Sequence, residues 1–453
     1  MLKIMQESDY KKVPVACRVI VLALLTIRTS CLAQTILTDP TAASGGDSLL
    51  SAYVAEALKN HPDLASMQAM IEAEGSRVRM VSSWMNPDLM LGVMSLPTSL
   101  DFHEEAMTSI DFGFMLRIPF PGKLKSAREA QTARVSSSVE EYEQMKLDMA
   151  AMVKMAYYDL AGNLGIRDAL LEGQRLSQDM VKAAQIMTSS GMGSQADILR
   201  AQLEADQWQR RIIENDQRIA ASRSRLAAAL GRTTAEHLQD PKPLAKTPPD
   251  PPLDKLLTEK IDQTPFRRSQ WAKVESARQN LKRARLEYWP DVDLSFTYGF
   301  RDYLKPGAMG GDPEMRMPLD DMLSLEARIL VPLFFRGNQR AMVQESEAML
   351  RHAQAEYESG GVKLRDGTRQ AYARLEAARR TYHLIADTLL PRADEVFEAS
   401  LPDYQSGRIP FMSLNEALMQ AVMQKMDREM ALADAHMAQA DLERLIGKSL
   451  AAE

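Results

Sequence analysis

One pattern is written twice along this chain. The stretch HPDLASMQAMIEAEGSRVRMVSSWMNPDL, from His61, aligns with TPFRRSQWAKVESARQNLKRARLEYWPDV, from Thr264, so that Pro62 faces Pro265 and Pro87 faces Pro290 at one offset. A longer loop then widens the offset, after which Gly122 faces Gly337, Tyr157 faces Tyr372, Gly191 faces Gly407 and Gly231 faces Gly447. The chain is one structural unit built twice. The units expected are residues 34–238 and 255–453. Between them Gln239 to Asp254 carries six prolines, which cannot sustain a helix and favour an extended, semi-rigid linker.

Within each copy the hydrophobic period changes in the same order. Leu49 to Trp84 and Leu253 to Tyr288 are rich in Ala, Glu, Arg and Met and read as helices. The period then drops to two. Ile110, Phe112, Phe114, Leu116, Ile118 and Phe120 alternate with smaller or polar residues, as do Val292, Leu294, Phe296, Tyr298 and Phe300. Leu89, Leu91 and Val93 supply a partner strand for the first set, and Leu323, Leu325, Ala327, Ile329 and Val331 for the second, giving hairpins over about 88–120 and 291–333. Long helices should follow at about 123–190 and 338–405, each near 100 Å at 1.5 Å per residue, and shorter return helices at about 195–231 and 412–447. In the second long helix Ala371, Leu375, Ala378, Tyr382, Ile385 and Leu389 recur at spacings of four and three, the seam of a coiled-coil-like contact, and Pro391 should kink it. Gly191 and Gly407 supply the turns, with Asp197 and Ser413 as caps for the return helices. Stacked end to end, two short helices match one long one.

The strands present one greasy face, and the helices have no second apolar face to spare for covering it. Strict alternation also suits a half-buried sheet on a soluble core; with the leader and the family resemblance below, a lipid-facing sheet is expected, and only a closed barrel pairs every backbone group of strands in a membrane. Four strands cannot close. Strands from several copies must share a barrel, and the physics admits a dimer with eight or a trimer with twelve.

A net charge of −6 over 453 residues offers no basic footprint for nucleic acid. Residues 1–33 read as a signal peptide, with Lys3, Lys11, Lys12 and Arg18 before the apolar run Val19 to Ile27 and a small-residue exit at Ala33. Both cysteines, Cys17 and Cys31, fall inside it, so the mature chain has no thiol chemistry, although Cys31 is also a position where lipid could be attached. None of the six histidines has metal-site spacing, and no phosphate loop, nucleophile elbow or carboxylate pair is present, so neither cofactor nor catalytic residue is expected. His103-Glu104-Glu105 reads as an exposed loop tip. Met309, Met315, Met317 and Met322 cluster in one loop, where thioethers suit Cu(I) or Ag(I) but serve more commonly as flexible gap-fillers.

Tandem copies of helix, hairpin, long helix, turn and return helix behind a signal peptide, with the string RIPFPGKL ending at Leu124, resemble the TolC-type outer-membrane efflux family over nearly the whole mature chain. PDLMLG at Pro87 to Gly92 and EAMT at Glu105 to Thr108 are most similar to members serving heavy-metal efflux. The resemblance implies a mainly α fold with a membrane β-barrel: a homotrimer with a shared twelve-stranded barrel in outer-membrane lipid and a long helical tunnel through the periplasm. It implies a periplasmic adaptor and an inner-membrane resistance-nodulation-division (RND) pump as partners. Gly191, Gly193 and Ser194 in the first turn and Gly407, Arg408 and Pro410 in the second would be adaptor-docking elements. Ser413 and Glu416 stand where the family often has aspartates around the tunnel aperture, so Glu416 keeps one carboxylate ring and Ser413 removes another. Other readings are a duct for drugs or for protein secretion, and, from a different class, a soluble periplasmic coiled-coil adaptor without a pore.

Overall fold

The computed structural model describes residues 48–244, 246–248, 261–306, 316–331 and 337–450. Residues 1–33, the expected leader, with Cys17 and Cys31, part of the expected linker, and Met309 and Met315 lie outside the described residues. The elements run α1 (Ser48–Asn60), α2 (Pro62–Ser82), β1 (Asp88–Met94), β2 (Ser109–Ile118), α3 (Lys123–Ser189), α4 (Gln195–Ala229), α5 (Pro265–Leu286), β3 (Val292–Phe300), β4 (Tyr303–Leu304), β5 (Met317–Pro318), β6 (Met322–Ile329), α6 (Asn338–Leu384), α7 (Leu390–Gln405) and α8 (Phe411–Ile446). The opening helix of the first copy is therefore two helices. Pro62 cannot donate to the preceding turn, so the chain breaks at His61, which stays extended and accepts a hydrogen bond from the Asp63 N–H.

The two hairpins join into one antiparallel sheet of order β1-β2-β3-β6. Its register collects every alternating apolar residue on a single face. Leu89 lies opposite Phe114, Phe114 opposite Phe296 and Phe296 opposite Leu325. One row along, Leu91, Phe112, Tyr298 and Leu323 are aligned in the same way. Nothing among the described residues covers this face: Leu91 is 79% exposed and Leu325 80%. The opposite face carries Asp111, Arg117, Asp293, Thr297 and Glu326, with Arg117 Nε 2.8 Å from Asp293 Oδ1. Exposed Trp84 and Trp289 sit at the helix-proximal end of the sheet, where the amphipathic indole suits a membrane boundary. At the other end the outer loops are tied together. His103 is half-buried rather than an exposed tip: its ring stacks on Tyr303 at 4.4 Å, its Nε2 lies 3.1 Å from Asp302, and its carbonyl accepts from the Lys305 N–H.

The helices form a wall four columns wide. α3, unbroken over 67 residues or about 100 Å, packs against α2 and α4 on one side and α5 and α8 on the other. α6 and α7 lie beyond α5 and α8. The short helices stack end to end. A Cβ on Gly231, just past α4, would meet Pro62 of α2 at 3.1 Å, and one on Gly447, just past α8, would meet Pro265 of α5 at 3.4 Å. Four apolar clusters among the described residues hold the wall, two of them large. One, near the turns, centres on Trp208, Leu414 and Leu418; the other joins Tyr53 and Val54 of α1 to Tyr157, Leu160 and Leu226. The linker crosses beside α1, where the Tyr53 hydroxyl accepts from the Gln239 N–H at 2.8 Å.

The seam on α6 matches the sequence expectation through Ala371, Leu375 and Ile385 and then departs from it. Ile385–Leu389 is a π turn, which adds one residue and rotates the helix beyond it. Leu389 is left 38% exposed and Leu390, 8% exposed, takes its place. Pro391 falls in the first turn of α7, where its missing N–H is tolerated.

Candidate functional site

The turn residues marked in the sequence occupy the far end of the helical wall from the sheet. α3 and α7 end alike. Gly191 (φ +79°) and Gly407 (φ +72°) take the left-handed conformation, and paired backbone bonds close each turn: Met192 N–H to Met187 O and Gly191 N–H to Thr188 O in one, Arg408 N–H to Asp403 O and Gly407 N–H to Tyr404 O in the other. Gly193 is needed for space, since a Cβ there would lie 2.9 Å from the Thr188 nitrogen. Arg408 is held by Asp403, Nη2 to Oδ1 at 2.6 Å.

The caps differ from the sequence expectation. Ser194, not Asp197, is the N-cap of α4; its Oγ accepts from the Asp197 N–H, and the Asp197 carboxylate accepts in return from the Ser194 N–H. In the second copy Pro410 occupies the cap position, and Ser413 contributes only its backbone N–H, to the Pro410 carbonyl. The two tips are thus built differently: a rigid reciprocal cap in the first, an uncapped start in the second.

Beneath the turns the packing is close. Gly173 makes room for Trp208, whose ring a Cβ would meet at 2.9 Å, and Arg211 sits over that indole at 4.9 Å with Nη1 3.2 Å from Met419 Sδ. The Trp208 indole N–H, Tyr404 hydroxyl and Asn415 Oδ1 are buried in this region without a hydrogen-bond partner among the described residues. Burial, and secondarily Asp197, pushes the Tyr404 phenol up from its ordinary value.

Glu416 and Ser413 share one open face of α8, three residues apart, while Leu414, Ala417 and Leu418 turn into the core. The wall also has a hollow of about 780 Å³ lined by residues of α2, α3, α5 and α6 together. The hollow thus spans all four columns. Its lining mixes Glu74, Glu141 and Glu345 with Arg134, Lys273 and Arg283, a surface for water rather than lipid. Where the wall meets the sheet, Lys123 bridges Glu287 at 3.0 Å and Asp291 at 2.9 Å, and the Phe120 N–H donates to Asp291. Burial lowers the Lys123 pKa, and the two carboxylates outweigh it and hold the ammonium above its ordinary value. No described group of three or more His, Cys, Asp or Glu is placed to hold a metal ion. No described helix is long and apolar enough to cross a membrane.

The glycine turns end α3 and α7, and Ser413 and Glu416 lie exposed on α8 just beyond the second turn. The Trp208–Gly173 contact and the uncapped start of α8 are new, and neither spacing nor composition signals them.

Comparison with known proteins places this architecture. The family model described as "Outer membrane efflux protein" matches residues 53–232 and 261–448. The fusaric acid resistance protein FusA of Burkholderia cepacia is 21% identical over 309 residues, covering 62% of this chain and 57% of that relative, so the chain spans little over half its length. Among solved structures, the outer membrane protein VceC of Vibrio cholerae superposes with a TM-score of 0.72 at 17% identity, covering 88% of this chain and 96% of that one. CusC superposes with a TM-score of 0.74 at 15% identity, covering 89% and 93%. At such identities the likeness is one of fold.

Proposed function

The chain belongs to the outer membrane efflux protein family, and from that premise we propose that it is the outer-membrane duct of a tripartite efflux system, a passive conduit closed by three copies of itself. It is an outer-membrane protein with a helical periplasmic extension. The observation that carries the proposal is the agreement of the two edges. β1 and β6 are the open edges of the sheet, and the helices joined to them, α2 and α6, are the outer columns of the wall. One head-to-tail contact therefore pairs both sheet edge and helix edge between copies, and repeating it closes barrel and tunnel together.

In this reading the hollow belongs to the lumen, and Glu416 and Ser413 lie at the tunnel aperture. The turns carrying Gly191, Gly193 and Ser194, and Gly407, Arg408 and Pro410, receive a periplasmic adaptor that links the duct to an inner-membrane RND pump. Heavy-metal cations are the cargo favoured by the strings RIPFPGKL and PDLMLG and by a carboxylate ring at Glu416. A second reading, small toxic organic acids, is favoured by the name of the Burkholderia cepacia relative.

The test is single-channel conductance of the detergent-extracted protein in a planar bilayer, with Glu416→Gln alongside. Discrete cation-selective openings that lose selectivity in the variant support both pore and aperture; anion-selective openings favour the organic-acid reading, and no conductance sinks the duct.

A further inference from the structure

The duplication supplies an internal control for the surface of the return helices. Counting along α8 from Ser413, its open face runs Glu416, Gln420, Met423, Asp427, Met430 and Asp434, spaced alternately by three and four residues after the first step, and each of these is exposed. Met423 is 50% exposed and Met430 55%. Carrying the register from Gly407 back to Gly191, the matching positions of α4 are Arg200, Glu204, Gln207, Arg211, Glu214 and Arg218. The two helices share an origin and nearly a length, yet the α4 set holds three arginines and is half-buried at Glu204, Gln207 and Arg211, while the α8 set is open throughout, has no basic residue and places two thioethers between carboxylates. A solvated helix face needs no such divergence, and exposed methionine gains nothing from core packing.

The direction of the face is also fixed. His436, two residues from Asp434 and so about 200° around the helix, is on the opposite side, stacked on Tyr158 at 4.6 Å and bonded through Nε2 to the Lys246 carbonyl of the linker at 2.8 Å. The stripe is turned away from the linker and is continuous with Glu416.

From this juxtaposition we infer that the open face of α8 is a conduction lane for soft monovalent cations of the Cu(I) or Ag(I) type, with Glu416, Asp427 and Asp434 concentrating cations and Met423 and Met430 offering thioether ligands between them. The inference rests on the trimeric duct, which turns each residue into a ring of three. Spacing of about 10 Å between successive thioether rings keeps binding multi-site and each step short, as conduction requires. Thioethers are soft ligands that prefer Cu(I) and Ag(I) over hard cations, so the lane is selective by ligand type and by charge at once.

The experiment is silver block of potassium current through the intact protein in a planar bilayer in nitrate salts, comparing wild type with Met423→Leu/Met430→Leu and with Asp427→Asn/Asp434→Asn. Each variant is referred to its own silver-free current. The lane predicts block in wild type at low silver, a rise of about tenfold in the blocking concentration for the double leucine variant, and reduced cation preference for the double asparagine variant. Equal block of the wild type and the leucine variant overturns the thioether role, and unchanged selectivity in the asparagine variant overturns the carboxylate role. Potassium openings that silver never affects sink the lane and leave the duct standing, whereas absence of any conductance removes both.

Discussion

At the scale of single residues, His436 is a group whose titration the fold constrains. Burial lowers its pKa below the ordinary 6.5, and the hydrogen bond to the Lys246 carbonyl opposes that only in part. A histidine whose folded pKa is depressed contributes stability above the unfolded value and loses it as pH falls through the folded value. Thermal unfolding of the wild type should therefore shift to lower temperature between neutral pH and pH 5 by more than that of His436→Phe, which keeps the stack on Tyr158 and cannot titrate; parallel pH profiles would refute this. Tyr404 makes the opposite kind of prediction. Its hydroxyl is buried without a partner among the described residues, so Tyr404→Phe should stabilise the tip by about 1 kcal/mol, seen as slower amide exchange in α7. Neither role was legible in the sequence, because burial and the absence of a partner are properties of packing. Glycine roles were legible: Gly191 and Gly407 are required by a positive φ, and their place at the end of long helical patterns announces it.

At the scale of elements, periodicity decided most of the outcome. The alternation in β2 and β3 is so regular that strand register follows from it, since a one-residue slip would move Phe114 and Phe296 to the polar face. Periodicity fails where one residue is inserted or one peptide N–H is missing. The break at His61 is legible in Pro62, the counterpart of the helix-opening Pro265, once the missing N–H outweighs the unbroken apolar pattern around it. The π turn at Ile385–Leu389 is not legible, because Ala378, Tyr382, Ile385 and Leu389 fit an unbroken seam. The turn can be tested through its register. Deleting Asp387 should restore regular helix and rotate α7 by about 100°, taking Leu390 and Tyr404 out of the core at a cost above about 3 kcal/mol. Amide exchange should then accelerate in α7 and the start of α8 while the sheet stays protected. If α7 keeps its protection, the extra residue is not what sets the contact.

At the scale of the whole molecule, the described residues of one protomer form an open object: a sheet with two unpaired edges, an uncovered apolar face, and a wall with two free flanks. Backbone groups at β1 and β6 cannot stay unpaired in lipid, so the monomer has no stable membrane form and its stability is inseparable from assembly. The pairing makes a geometric claim that one chain cannot satisfy. Within a protomer β1 and β6 are three strand spacings apart, about 14 Å, far beyond the roughly 7 Å limit between Cα atoms for a disulfide. Between copies they are neighbours. The sequence has two cysteines, Cys17 and Cys31, both before the described residues and within the segment expected to be a leader, so Leu325→Cys can be combined in turn with Leu89→Cys, Leu91→Cys or Val93→Cys with little background. One of the three registers should oxidise into covalent oligomers, and because a closed ring exhausts its edges the ladder must stop. A ladder ending at three chains establishes the trimer, one ending at two establishes the eight-stranded dimer that strand closure alone also allows, and one without an upper limit means that the edge contact propagates as a filament and does not close a pore.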